Sequence, residues 1–210
     1  MKLYQLRSTQ NKKILFEGKF ETFKDCVESA VLQKIPLPYI DLSHQNLTNA
    51  NLDDAIMPHA DFTQSNLSGA NISEAYVSGA RFTNASLYNT CFCDSNLAGS
   101  NFNGAFFGGT DIFGSIISRS QFSTLSAFSL DFTAARQMND CIYITAQGQI
   151  CRMSRPPIVI SGIARKPIVV MDDTIKAGNN MIDYRRLAPL AQKLAARTLR
   201  NRLPYTKARA

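Results

Sequence analysis

The sequence predicts a repeat solenoid assembled from five-residue units. From Leu42 to Phe122 a large apolar side chain returns at every fifth position, through seventeen consecutive units with no insertion or deletion. The residue two places earlier is small, and fifteen of those seventeen are Ala, Ser or Thr. A period of five matches neither the ~3.6 of a helix nor the ~2 of a strand, so neither element alone explains the pattern. A short fixed period of this kind marks units that cannot bury a core singly and do so by stacking.

The units read "ANLDD", "ADFTQ", "SNLSG", "ANISE" and "SNFNG". This Ala-Asp/Asn-Leu/Phe-x-x pattern resembles the pentapeptide-repeat proteins, over a stretch from near Ile40 to near Phe132. The resemblance implies an all-β solenoid, a right-handed quadrilateral parallel β-helix in which four units close one square coil of 20 residues. The large residue would then fill the coil interior, and the small one would leave room for it. The other three positions would face solvent, in keeping with their Asn, Asp, Ser, Thr and Gly. Coils would stack at the ordinary strand spacing of ~4.8 Å. Phe62, Phe82, Phe102 and Phe122, one coil apart, are expected to form a column of rings. The pattern frays after Phe122, where Ala127 and Leu125 break it, and Phe132 with Leu130 reads as the last unit of the rod.

Open coil ends expose core and unpaired edges, so small α+β caps are expected at both ends. In residues 1–38, "KLYQLR" and "KILFEG" read as a β-hairpin, and "TFKDCVESAVLQKI" as a helix capped by Thr22 with Asp25. A hairpin and helix in this place resemble the front of phage and bacterial pentapeptide-repeat proteins. Residues 39–135 form the rod, and residues 136–210 a C-terminal cap with a basic helical tail. Within that cap "CIYITAQGQICRM" reads as a hairpin turning at Gly148, "PPIVI" and "KPIVVMD" as strands, and "YRRLAPLAQKLAARTLRNRL" as a helix.

The formal net charge of +7 hides a division along the chain. Residues 1–35 carry seven basic and four acidic side chains, residues 36–135 two and eight, and residues 148–210 thirteen and three. The middle is acidic and the end basic. The five cysteines, Cys26, Cys91, Cys93, Cys141 and Cys151, form an odd, scattered set that reads as reduced thiols. Cys91 and Cys93 make a lone CxC with no neighbouring His, read as two free thiols. Met1 leads into "KLYQLRSTQNKK", which lacks the apolar segment of a secretory signal, and no run reaches a membrane span. The expectation is a cytoplasmic protein.

No P-loop, GxGxxG, HExxH or GxSxG is present. His44 and His59 fall at outward corners without a nucleophile in register, and Asp172-Asp173 reads as a turn. No catalytic residue, cofactor site or metal site is expected, and the chain is not expected to be an enzyme. What remains is surface. On the third face, counting that of Leu42 as first, Asp54, Glu74 and Asp94 share one outward column, with Asp53 beside it. Asp111 and Asp131 share another column of that face, so six of the rod's eight acids form one stripe. Ile56, Tyr76 and Ile116 on the fourth face, with Tyr88, Phe106 and Phe128 on the second, put apolar groups outward and suggest an interface, a docked cap or a homodimer. Arg185, Arg186, Lys193, Arg197, Arg200 and Arg202 lie in a tail with no acidic residue from 184 onward.

These features point to a non-enzymatic protein–protein interaction scaffold. The resemblance implies a further possibility, since some family members mimic duplex DNA and act on type II topoisomerases such as DNA gyrase. The unbroken register from Leu42 to Phe122 leaves no room for the projecting loops of the gyrase-directed resistance members. The alternative is binding of nucleic acid or a membrane surface through the basic tail.

Overall fold

This computed structural model describes residues 1–183, apart from 163, 165 and 179. The chain forms two compact units, residues 1–156 and 157–210. The first begins with an antiparallel hairpin, β1 (Lys2–Arg7) and β2 (Ile14–Phe20), followed by α1 (Phe23–Leu32). Thr22 caps α1 by a reciprocal box: its hydroxyl accepts from the Asp25 amide, and the Asp25 carboxylate accepts from the Thr22 amide. One face of α1 buries Cys26, Val27, Ala30 and Val31. From there the Leu37 amide donates to the Ile56 carbonyl and the Leu42 amide to that of Asp61, which starts the coil.

The rod is a β-helix. Parallel bridges join residues 20 apart along four ladders. One runs Asp41, Asp61, Arg81, Asn101, Gln121, and another Asn46, Asn66, Ser86, Phe106. The third runs Asn51, Asn71, Cys91, Asp111, and the fourth Ile56, Tyr76, Asn96, Ile116. Between Leu42 and Phe122 regular pairing lengthens into strands only at β3 (Ser86–Tyr88) with β5 (Phe106–Gly108), and at β4 (Asn101–Phe102) with β6 (Gln121–Phe122). The reason is a left-handed residue in every unit. All seventeen positions from Tyr39 to Arg119 at spacing five have φ between 53° and 74°. Each such residue turns the chain after a few residues, so extended runs stay short. This is also why Gly, Asn and Asp crowd that place, because they tolerate the left-handed region best.

Inside, the large residue of each unit is fully or almost fully buried from Leu42 to Phe122. Phe62, Phe82, Phe102 and Phe122 stack with centroids 4.9, 4.9 and 5.2 Å apart and planes within 5°. That spacing is the coil rise itself. Ser and Thr are tolerated at the small inward place because their hydroxyls return to the backbone. Ser65 donates to Phe62 O at 2.8 Å and Thr90 to Leu67 O at 2.9 Å, so no buried hydroxyl is left unpaired there.

The rod does not stop at Phe132 as the repeat pattern suggests. Gln137 bridges Ile116, and β7 (Cys141–Ile144) adds in parallel to β6, with Gln121 opposite Ile142 and Phe122 opposite Tyr143. Those partners are 21 residues apart instead of 20, so one extra residue in the last turn hid the continuation from a strict five-residue register. That turn holds a 3-10 segment, Leu125–Ser129, and Phe132 meets Phe122 edge-on at 5.5 Å. β8 (Ile150–Met153) then turns back antiparallel to β7 through Gly148 (φ 77°), giving the last coil a paired edge.

In the second unit β9 (Ile158–Ile160), β10 (Ile168–Val170), β11 (Thr174–Ala177) and β12 (Asn180–Asp183) form one antiparallel sheet in the order β12-β11-β10-β9. β9 and β10 match the two expected strands. β11 and β12 were not legible, since "TIKAGNNMID" mixes Lys, Asn and Gly into its alternation. The expected basic helix lies outside the described residues.

Candidate functional site

The stripe acids come together as the column arithmetic requires. Asp54, Glu74 and Asp94 are exposed and occupy the left-handed corner of the third ladder on successive coils, with φ of 56°, 54° and 56°. Their amides donate to Ser73, Cys93 and Phe113 carbonyls of the next coil, which locks the column to the coil rise. The column begins with Lys34 (φ 55°), whose ammonium pairs with the Asp54 carboxylate. It ends at Gly114, where a Cβ would stand 2.2 Å from Asp94 Oδ1. The sequence reading missed Lys34 although it sits 20 residues before Asp54, the spacing that defines the column.

Asp53 and Asp111 are exposed beside that column, and Asp131 is exposed in the last turn. Asp111 Oδ1 accepts from the Phe113 amide at 2.9 Å, and Asp131 Oδ1 from the Thr133 amide at 3.0 Å. The same local bond occurs at Asn66 with Ser68 and Asn71 with Ser73, so Asx residues at this place brace the turn whatever their charge. Phe113, 62% exposed, stands among these acids and went unnoticed in the sequence although it fills an outward position.

The other two rod acids lie on the first ladder. Asp61 is 8% exposed, and Arg81 one coil away donates to it at 2.6 Å. Burial pushes the Asp61 carboxyl up, but two Thr63 hydrogen bonds and Arg81 outweigh it and hold the group below its ordinary value of 3.8. Its folded-state value is depressed, so the contribution to stability is present above pH 3.8 and fades as pH falls through the folded value. Arg81→Ala is expected to cost about 1 to 2 kcal/mol at neutral pH, the guanidinium being mostly exposed. In urea titrations the gap between wild type and variant should close on acidification below pH 3.8.

The apolar candidates divide. Ile56 and Tyr76 are 43% and 46% exposed and adjacent in the fourth ladder, while Asn96 separates them from half-buried Ile116. Tyr88 and Phe106 are exposed on the second ladder. Phe128 is a correction: expected to point outward, it is only 8% exposed, because the 3-10 segment turns its ring onto Tyr143 at 4.9 Å. His59 stacks on Tyr39 at 4.8 Å across one coil. Cys91 and Cys93 lie between Ser73 and Asp111 on the third face, and the Cys93 thiol is pushed up to about 12 by burial, Cys91 and Asp111. The basic tail residues Arg185, Arg186, Lys193, Arg197, Arg200 and Arg202 lie outside the described residues.

Among the described residues no helix is long and apolar enough to cross a membrane. Between Phe92, Phe102, Phe122 and Leu130 the interior leaves a void of about 10 Å³, roughly the room of one water.

A filled, four-laddered tube with chemistry only on its outer faces defines a β-helical repeat protein. Residues 30–64, 46–84, 60–98 and 94–124 match the family described as pentapeptide repeats, in eight copies, so the rod of this chain is built of pentapeptide repeats. Among solved structures it is similar to Rfr23, a pentapeptide repeat protein of the cyanobacterium Cyanothece 51142. That match has 23% identity, 41% of this chain and 60% of the other covered, and a TM-score of 0.40. A trypsin-treated form of QnrB1, a plasmid-mediated fluoroquinolone resistance protein, matches at 22% identity over 48% of this chain and 46% of that one, with a TM-score of 0.38. A pentapeptide repeat protein of the Arabidopsis thaliana thylakoid lumen matches at 28% identity over 37% and 61%, with a TM-score of 0.25. Each match spans less than two thirds of the other protein's length. No curated protein matches the chain.

Proposed function

We propose that this chain is a non-enzymatic interaction scaffold whose acidic third face receives a cationic surface of a protein partner. The reading extends to a DNA mimic that occupies the DNA-binding groove of a type II topoisomerase. The carrying observation is the column Asp54, Glu74, Asp94, three exposed carboxylates held at left-handed corners one coil apart. Like charges ~4.8 Å apart repel by roughly 0.9 kcal/mol even in water, so the face gains from a cationic partner. It is a sparser array than duplex DNA, which carries one charge per ~1.7 Å of axis. Lys34 offsets Asp54 at one end, so the partner contact centres on Glu74, Asp94 and Asp111.

Three finer readings go with this proposal. The coil is a right-handed quadrilateral helix, the handedness and squareness that the family implies. Residues 1–38 and 136–156 act as caps to the rod. Ile56 with Tyr76, and Tyr88 with Phe106, are the surfaces on which a second copy or a partner would gain apolar contact.

The test is a supercoiling assay with purified bacterial DNA gyrase. The wild-type chain is expected to lower supercoiling, and Glu74→Lys with Asp94→Lys to raise the half-inhibitory concentration at least about tenfold. No effect of the wild type would remove the topoisomerase reading. Equal potency of the variant would remove the acidic face as the contact. Loss of duplex-DNA binding on deleting residues 184–210, with no gyrase effect in either form, would instead support the tail reading.

A further inference from the structure

We propose that Cys91, Cys93 and Asp111 form a binding site for one Zn²⁺ ion, held by two sulfurs and a carboxylate oxygen with water completing the shell. The donors come from two successive coils. Cys91 and Cys93 flank the inward Phe92, so both side chains leave the same outer edge of the coil. Asp111 lies one coil on, directly opposite Cys91 in the parallel ladder. The two sulfurs are 3.0 Å apart, and the ligand atoms of all three residues lie within 4.8 Å of one another.

The neighbouring coil shows what this place ordinarily holds. There Asn71 and Ser73 occupy the same two positions, with the Ser73 hydroxyl donating to Asn71 Oδ1 at 2.6 Å. The fixed register thus exchanges an oxygen pair for a sulfur pair at one level of the ladder and supplies a carboxylate from the next. The coil stacking that places these groups together also keeps their separation from drifting. Zn–S bonds of about 2.3 Å at a tetrahedral angle put two sulfurs about 3.8 Å apart. Opening the pair by roughly 1 Å is within side-chain rotation and leaves the ladder bonds in place.

Donor type selects the ion. Two thiolates, one carboxylate and an open position suit borderline-soft Zn²⁺, whereas Mg²⁺ and Ca²⁺ demand shells of oxygen. On binding, the two charges of the ion replace the two thiol protons, which leave to solvent, so the face keeps its net charge. Glu74 and Asp94 in the adjacent corner column raise the local concentration of cations.

The full chain, reduced and stripped of metal with a chelator, is titrated with Co²⁺ as an optical probe and then with Zn²⁺. The expected result is a single equivalent of Co²⁺ with thiolate-to-cobalt charge-transfer absorption that Zn²⁺ abolishes. The variant Cys91→Asn with Cys93→Ser reinstates the Asn71/Ser73 pair of the neighbouring coil and should keep the wild-type circular dichroism. It is expected to lose the absorption although Cys26, Cys141 and Cys151 remain. Asp111→Asn should keep sulfur-to-cobalt bands while weakening Zn²⁺ binding at least about tenfold. Absence of the bands in the wild type would overturn the proposal. So would equal bands in the wild type and the double variant, which would put the ion on the other thiols.

Discussion

Replacing Phe82 by alanine is expected to lower the unfolding free energy by about 3 to 5 kcal/mol. Phe82 is fully buried, sandwiched between Phe62 and Phe102 at 4.9 Å on both sides, and met edge-on by Phe92 at 5.6 Å. The rings above and below cannot close on the gap, because ladder hydrogen bonds between coils, such as the Phe62 amide to Arg81 O and the Phe82 amide to Asn101 O, hold the coils at their fixed rise. The cavity therefore persists and its full cost is felt. A urea titration reads the loss as a lower midpoint with unchanged slope. Phe113→Ala, on an exposed ring, serves as the contrast and should change stability by less than about 0.5 kcal/mol.

The second large effect comes from the opposite change. Ala70→Leu is expected to cost about 1 to 3 kcal/mol by overpacking. Ala70 is 1% exposed at the small inward place, its amide bonded to Leu67 O at 2.9 Å, with Ala50 and Thr90 in the same column on the coils to either side. An isobutyl group there meets the interior residues of its own coil and has no coil spacing to expand into. Ala70→Ser should stay within about 1 kcal/mol, because a hydroxyl at this place can donate to a carbonyl as Ser65 and Thr90 do. A rod that tolerated leucine as well as serine at Ala70 would not be close-packed.

The two substitutions rest on the part of the fold that was legible from residues alone. A strict period of five names every inward side chain from Leu42 to Phe122, and multiplication by four places Phe62 over Phe82 and Asp54 beside Glu74 and Asp94. Spacing fails where spacing changes. One extra residue before Gln137 moved the partners of Ile116 and Phe122 to 21 residues away, so the last turn looked like the rod's end. The same turn carried Phe128 from an outward position to a buried one against Tyr143. Strands β11 and β12 have no period to announce them, since Lys176, Asn180 and Asp183 interrupt the apolar alternation, although each strand pairs with its neighbour in sequence.

The surface was legible in position but not in pairing. The acidic column was predicted, whereas Lys34 at its start required carrying the 20-residue step back beyond the repeat into the cap. The left-handed corner explains residues that solvent exposure alone does not. Gly114 and Gly79 sit where a Cβ would stand 2.2 Å from Asp94 Oδ1 and 2.4 Å from His59 Nδ1, so the side chain of the preceding coil takes up that space. Asn and Asp there are partly a backbone requirement, which is why charge at these corners is a choice among few residues.

The central claim is that residues 20 apart lie directly over one another along the rod. Nitroxides on Glu74→Cys and Asp94→Cys test it, in a Cys91→Asn, Cys93→Ser background where the remaining cysteines are buried and do not label. Frozen-solution spectra of the pair are predicted to be strongly broadened relative to the single labels, as expected for sites about 5 Å apart along the rod axis. A doubly labelled spectrum equal to the sum of the two singles would contradict the stacked register, and the acidic column and the zinc site would fall with it.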